Sequence, residues 1–249
     1  MKRFFFILLV LLAILGFSFW LEKNSLKQTS SPKNQTEQKN LPSPQTKTHP
    51  PKTTPQPTPL PASFDLPVSF VPQAPFGIWD DLHNNACEEA SLVLVHYYKK
   101  GLSLSKEKME REIQSLVKWQ IKKYGRHKDL TLKEVAEIAK EFYGYQEVKI
   151  INDFSWPQLK REIVQKNPVI IPAAGRLLKN PYFRQPGPLY HMLVIRGYNE
   201  KEVITNDVGT KRGEGYRYTY QTLEQAIHDW TGRAETITQG RRAMLVIIK

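Results

Sequence analysis

The chain has 249 residues and a formal net charge of +12, and residues 1–64 carry half of that excess, with eight Lys or Arg against Glu22 and Glu37. The rest of the positive charge is spread without an arginine-aromatic cluster, which argues against a nucleic-acid partner and fits a basic tether beside anionic lipid or wall polymer. A single cysteine, Cys87, excludes an intramolecular disulfide framework; with no cysteine pair and no short histidine spacing, neither a metal nor any other cofactor is expected.

Phe4 to Leu21 is apolar apart from Gly16 and Ser18, follows Lys2 and Arg3, and is long enough to cross a bilayer. Residues 1–22 are therefore expected to be a transmembrane signal anchor, with everything after Glu22 outside the cytoplasm. A cleaved signal peptide is the alternative, Gly16 and Ser18 supplying the small residues, and it would export the rest equally. Residues 23–64 are rich in Pro, Ser, Thr and Lys and too poor in apolar side chains to offset the entropy of folding, so they read as a disordered linker, extended over Pro42 to Pro61. Residues 65–249 remain for one domain, expected to be monomeric.

The domain opens with an extended stretch, Leu66 to Gln73, and a turn-rich loop, Ala74 to Asn85. A helix follows, because Cys87, Ala90, Ser91, Leu94, Val95 and Tyr98 share one face and Gly101 stops it. Ser105 caps a second helix to about Tyr124, Thr131 and Glu134 form a capping box for a third ending at Gly144, and Ser155 with Pro157 starts a fourth to about Lys166. Strands are expected at 168–173, 191–198, 202–206, 216–220 and 243–248, with a short helix near 223–230. The turn 199–201 joins two of them as a hairpin, so the class is α+β, helices first and a mostly antiparallel sheet second.

Cys87 falls in the first turn of its helix, where unpaired backbone N–H groups and the positive end of the macrodipole favour a nucleophilic thiolate. The bland alternative is a small buried side chain. Among the histidines, His96 lies on the opposite face of the same helix, His127 and His228 sit among polar residues and read as solvated, and His83 is a candidate rim residue. His191 heads the apolar strand after the Pro186-Gly187-Pro188 loop, where a rigid element could present an imidazole to a cleft; a satisfied strand-edge histidine is the other reading. Asp207 ends the following strand beside Asn206 and could hold the imidazole tautomer, or could equally be ordinary turn chemistry.

Taken together, the blocks Val71-Pro72-Gln73-Ala74-Pro75-Phe76-Gly77-Ile78-Trp79-Asp80-Asp81, Ala86-Cys87-Glu88-Glu89-Ala90-Ser91, Gly187-Pro188-Leu189-Tyr190-His191-Met192-Leu193-Val194 and Thr205-Asn206-Asp207-Val208-Gly209-Thr210 resemble papain-like cysteine peptidases of family 39. These are the double-glycine, bacteriocin-processing type, here in a stand-alone exported form, and the resemblance spans about residues 65–232. It implies a papain-like fold with Cys87 as nucleophile, His191 as general base, Asp207 as orienting group and Gln73 as the oxyanion-hole glutamine. Gln73 precedes Cys87 by 14 positions rather than a few, so either an inserted loop separates them or residues 78–85 occupy the cleft and displace the glutamine. Trp79 and Asn206 are the expected substrate contacts, and the stretch Arg176 to Arg184 is a candidate lid.

The function these residues suggest is extracytoplasmic hydrolysis of a peptide or isopeptide amide through an acyl-thioester on Cys87. An inactive binding module on the same fold and a wall-peptide amidase or transamidase are the alternatives.

Overall fold

The computed structural model describes residues 59–248. The apolar run expected to anchor the chain and nearly all of the expected linker lie outside the described residues; among the described residues no helix is long and apolar enough to cross a membrane.

Helices occupy the first half of the domain. A four-residue turn of helix, α1 (Asp81–Asn84), precedes α2 (Cys87–Lys100), α3 (Lys106–Tyr124), α4 (Leu132–Glu141) and α5 (Trp156–Val164). Local chemistry sets their ends. Gly101 closes α2 in the left-handed conformation at φ 64°, and Ser105 caps α3 by accepting the Lys108 N–H. Reciprocal capping boxes, Thr131 with Glu134 and Ser155 with Gln158, start α4 and α5, the latter with Pro157 in its first turn.

Among the described residues seven strands make one sheet: β1 (Phe64–Asp65), β2 (Val148–Asn152), β3 (Val169–Ala174), β4 (Tyr190–Tyr198), β5 (Glu202–Asn206), β6 (Tyr216–Thr219) and β7 (Ala243–Ile247). The order is β2-β7-β3-β4-β5-β6, with β1 on β4, and every pairing is antiparallel. The central strands β3, β7 and nearly all of β4 are buried along their length, so they read as continuous apolar runs rather than alternations. A short helix, α6 (Tyr220–Ala226), begins where β6 ends because the Thr219 side chain caps it, three residues earlier than expected.

Several expectations shift. The extended stretch 66–73 follows the short strand β1: the Leu66 N–H still bonds to the Arg196 carbonyl of β4, and the carbonyls of Val68 and Ser69 accept from the Asn206 side chain. The sequence reading missed β2, an edge strand whose half-exposed Val148-Lys149-Ile150-Ile151-Asn152 lacks a clean alternation. The Tyr198 hydroxyl donates to the Pro61 carbonyl, so the last residues assigned to the linker already dock on the domain.

One packing contact decides where the site lies. Helix α2 lies against β4, and Ser91, one turn after Cys87, donates its hydroxyl to the Met192 carbonyl at 3.1 Å. That bond ties the first turns of α2 to the start of β4, where His191 stands.

Candidate active site

Cys87 is the first residue of α2, so its neighbours in the first turn carry backbone N–H groups that the helix itself leaves without partners. His191 is the second residue of β4, in register with Ala173 of β3. Asp207 follows the last residue of β5, and the antiparallel hairpin returns it to the same end of β4. The consequence is direct: His191 Nε2 lies 2.8 Å from Asp207 Oδ1.

Asp207 is fully buried and its carboxylate is well supplied with donors. The Gly209 N–H donates to Oδ1 at 3.0 Å, while the Tyr218 hydroxyl at 2.5 Å and the Asn180 amide at 3.1 Å donate to Oδ2. Burial opposes ionisation, but the His191 ring and these donors outweigh it and hold the carboxyl below its usual range. An ionised Asp207 accepts from Nε2–H and so leaves Nδ1 as the basic nitrogen, which has no hydrogen-bond partner among the described residues.

Close packing fixes the ring as well. Phe183 meets it edge-on at 5.3 Å between centroids, and a Cβ built on Gly209 would sit 2.8 Å from His191 Cε1, so only glycine permits the imidazole this place. On the other side Gly175 admits the Pro188 carbonyl at a distance no side chain would allow. The stretch 176–184 is therefore a wall rather than a lid, since Asn180 is bonded to Asp207 and Phe183 packs on His191.

The thiol departs from expectation. Cys87 is only 4 % exposed and donates through Sγ to Glu88 Oε2 at 3.0 Å; no hydrogen bond joins it to the imidazole among the described residues. Burial first, and then the neighbouring Glu88 carboxyl, push the thiol well above its ordinary value, the reverse of what the helix N-terminus alone suggests. Glu88 itself, buried against Glu89 and Asp129, is pushed up to about 8.

The remaining sequence candidates separate. Gln73 is buried, with its backbone N–H on the Val208 carbonyl and its amide donating to the His83 carbonyl at 2.7 Å and the Asn84 carbonyl at 3.5 Å. It therefore lies against His83 and Asn84, four and three positions before Cys87, with its amide taken up by that loop. Asn206, expected as a substrate contact, is fully buried, and its side chain serves the backbone of Val68, Ser69 and Gly215. Trp79 is 41 % exposed on the loop between Gln73 and Cys87, beside exposed Phe76 and Ile78.

Two histidines read as surface or rim residues are in fact enclosed. His83 places Nδ1 2.7 Å from Asp80 Oδ1 and Nε2 2.9 Å from Glu110 Oε2, which clamps α1 to α3. His127 is largely covered and faces Glu89 at 3.5 Å. His96 stacks on Tyr143, away from the site, as the helix geometry requires. The residues missed in the sequence are Glu88, Asn180, Tyr218 and Gly209. Tyr218 and Asn180 carry no local signal, because they reach Asp207 from the next strand and from the segment before β4.

Comparison with known proteins now bears on this geometry. The model of the Peptidase_C39 like family matches residues 65–236. Comparison with curated proteins gives no match. Among solved structures, a Bacillus anthracis chain described as C39-like peptidase aligns with a TM-score of 0.51 at 16% identity, covering 75% of this chain and 98% of that one. Digestive procathepsin L 3 of Tenebrio molitor larval midgut aligns with a TM-score of 0.45 at 14% identity, covering 77% and 71%. Helices packed on an antiparallel sheet are the α+β arrangement expected from the sequence. With most of its length matched, the chain belongs to the Peptidase C39-like family and is a cysteine peptidase.

Proposed function

We propose that the domain hydrolyses peptide or isopeptide amide bonds through an acyl-thioester on Cys87, on the outer side of the cytoplasmic membrane. The observation that carries this reading is the His191 Nε2 to Asp207 Oδ1 contact of 2.8 Å, made at the end of β4 against which the cysteine-bearing helix is fastened by Ser91.

In that reaction the Cys87 proton passes to His191 Nδ1 as the sulfur attacks the carbonyl carbon, and the imidazolium then protonates the leaving amine. Water, deprotonated by the same nitrogen, cleaves the thioester and restores the thiol. Asp207 keeps the ring in the tautomer with Nδ1 free and stabilises the imidazolium. The oxyanion is served by backbone N–H groups of the first turn of α2. Gln73 joins them once its amide is released from the His83 carbonyl. The apolar run at residues 4–21 supports a single-pass anchor with the domain outside, and the substrate is a peptide or protein met there.

A second reading is favoured by the covered thiol and the occupied Gln73 amide: a binding module that keeps the fold without turnover. An activity-based cysteine-peptidase probe separates the two. Hydrolysis requires labelling of the wild type and its loss in both Cys87→Ala and His191→Ala. Equal labelling of wild type and His191→Ala removes the imidazole from the mechanism, and an unlabelled wild type favours the binding module.

A further inference from the structure

Among the described residues, the thiol's one hydrogen-bond partner is a carboxyl that the triad does not use. Glu88 is 1 % exposed, and its two oxygens have separate tasks: Oε1 accepts the Leu130 N–H at 2.8 Å, which pins the group, and Oε2 faces Cys87 Sγ at 3.0 Å. Its neighbour Glu89 turns elsewhere, to the Gln120 amide and His127. Glu88 is thus held against the sulfur by the segment before α4, and the Tyr190 hydroxyl, bonded to the Leu130 carbonyl, closes the same space from β4.

We propose that Glu88 is a positioning residue that decides when Cys87 can ionise. As a carboxylate it accepts the S–H and keeps the sulfur a thiol; as a neutral acid it turns its own O–H toward Sγ and supports the thiolate. This rests on the reading of Cys87 as the nucleophile. The exchange needs no co-reactant, since the thiol proton goes to His191 Nδ1 and the carboxyl proton comes from water.

The physical reason is charge. A carboxylate and a thiolate about 3 Å apart in a dry interior repel strongly, so the two groups do not both ionise readily. The charged and titratable groups around Glu88 reinforce this: Glu89 on its own helix and Asp129 on the segment before α4 are acidic, and both raise it. Tyr190 on β4 is neutral there, its hydroxyl pushed well up by burial and by Glu88. His127 faces Glu89 at 3.5 Å rather than Glu88, and the basic Lys128 and Arg126 act on Asp129. Burial first, and then these acids, raise Glu88 to about 8, so the neutral acid that supports the thiolate is the form present below that value. Above that value the carboxylate opposes the thiolate just where an ordinary thiol would begin to ionise.

The test is the rate at which iodoacetamide alkylates Cys87 in the full chain, followed against pH for wild type and Glu88→Gln. Glutamine keeps an oxygen for Leu130 N–H and presents a permanent donor to Sγ. The wild-type rate should flatten above about pH 8, whereas Glu88→Gln should rise without a break and be about tenfold faster in the alkaline range, the factor for one pKa unit. Superimposable profiles overturn the proposal. A change in stability alone leaves both profiles the same shape, so a merely structural role is separated.

If Glu88→Gln does not fold, infrared spectroscopy of the wild type and Cys87→Ala decides the matter. Loss of the S–H donor should move the titration of a buried carboxylic-acid C=O band to higher pH, and an unmoved band overturns the coupling. Both readouts are independent of turnover: a shifted profile in a protein that no peptidase probe labels would retain the Glu88 coupling and remove the nucleophile reading.

Discussion

His191 and Asp207 meet across the β4–β5 hairpin with 2.8 Å between Nε2 and Oδ1, and the acid is held in turn by Tyr218, Asn180 and the Gly209 N–H. The imidazole is oriented by a carboxylate that cannot itself rotate. Removing the charge while keeping the shape, in Asp207→Asn, should lower the rate of peptidase-probe labelling by about a hundredfold or more, since correct proton placement is what the acid supplies. Labelling at the wild-type rate would remove Asp207 from the mechanism.

Gly209 offers a test that replaces no triad residue. A Cβ there would lie 2.8 Å from His191 Cε1 and 2.9 Å from Phe183 Cε1, so Gly209→Ala should push the ring from its place. Labelling should fall by about a hundredfold, the scale of an ångström of misplacement, while the far-ultraviolet circular dichroism stays native. A fully labelled variant would mean that the ring position is not fixed by this contact.

Asn206 should behave as a structural residue. Its side chain satisfies the carbonyls of Val68 and Ser69 and the N–H of Gly215, and it is fully buried. Asn206→Ala is expected to cost about 1–3 kcal/mol in a denaturant titration, the scale for stranding buried polar groups, with KM unchanged in the folded fraction. A raised KM at undiminished stability would restore the substrate contact read from the sequence.

The His83 clamp makes stability depend on pH. Burial disfavours the charged ring, but Glu110 and Asp80 outweigh it, and the folded value lies above the ordinary 6.5. With both ring nitrogens facing carboxylates, the imidazolium donates to each. For a raised group the stabilisation is complete below the unfolded value and disappears as pH rises through the folded one. The stability advantage of wild type over His83→Asn should therefore be largest below about pH 6.5 and shrink on the alkaline side, measured by denaturant titration at each pH. An advantage that is flat across this window would show that the clamp is not titrating.

Local chemistry carried much of the fold into the sequence. The capping box at Thr131, the helix start at Ser155 with Pro157, the glycine stop at Gly101 and the hairpin turn at 199–201 are short-range devices, and each lies where it was expected. The edge strand β2 was not legible, because an exposed edge need not alternate. Likewise the order β2-β7-β3-β4 joins strands far apart in the chain, and only packing selects it.

For the site, the sequence by itself determined the cast: one cysteine at a helix start, one histidine heading an apolar strand, and one acid at the end of the next. Tertiary structure decided how they stand. It brought Tyr218 and Asn180 onto Asp207, gave Gln73's amide to the carbonyls of His83 and Asn84, and buried the thiol against Glu88, raising a group that the helix terminus alone would lower. The reason is range: caps and periodicities act over a few residues, whereas desolvation and charge depend on whatever the completed fold packs around an atom.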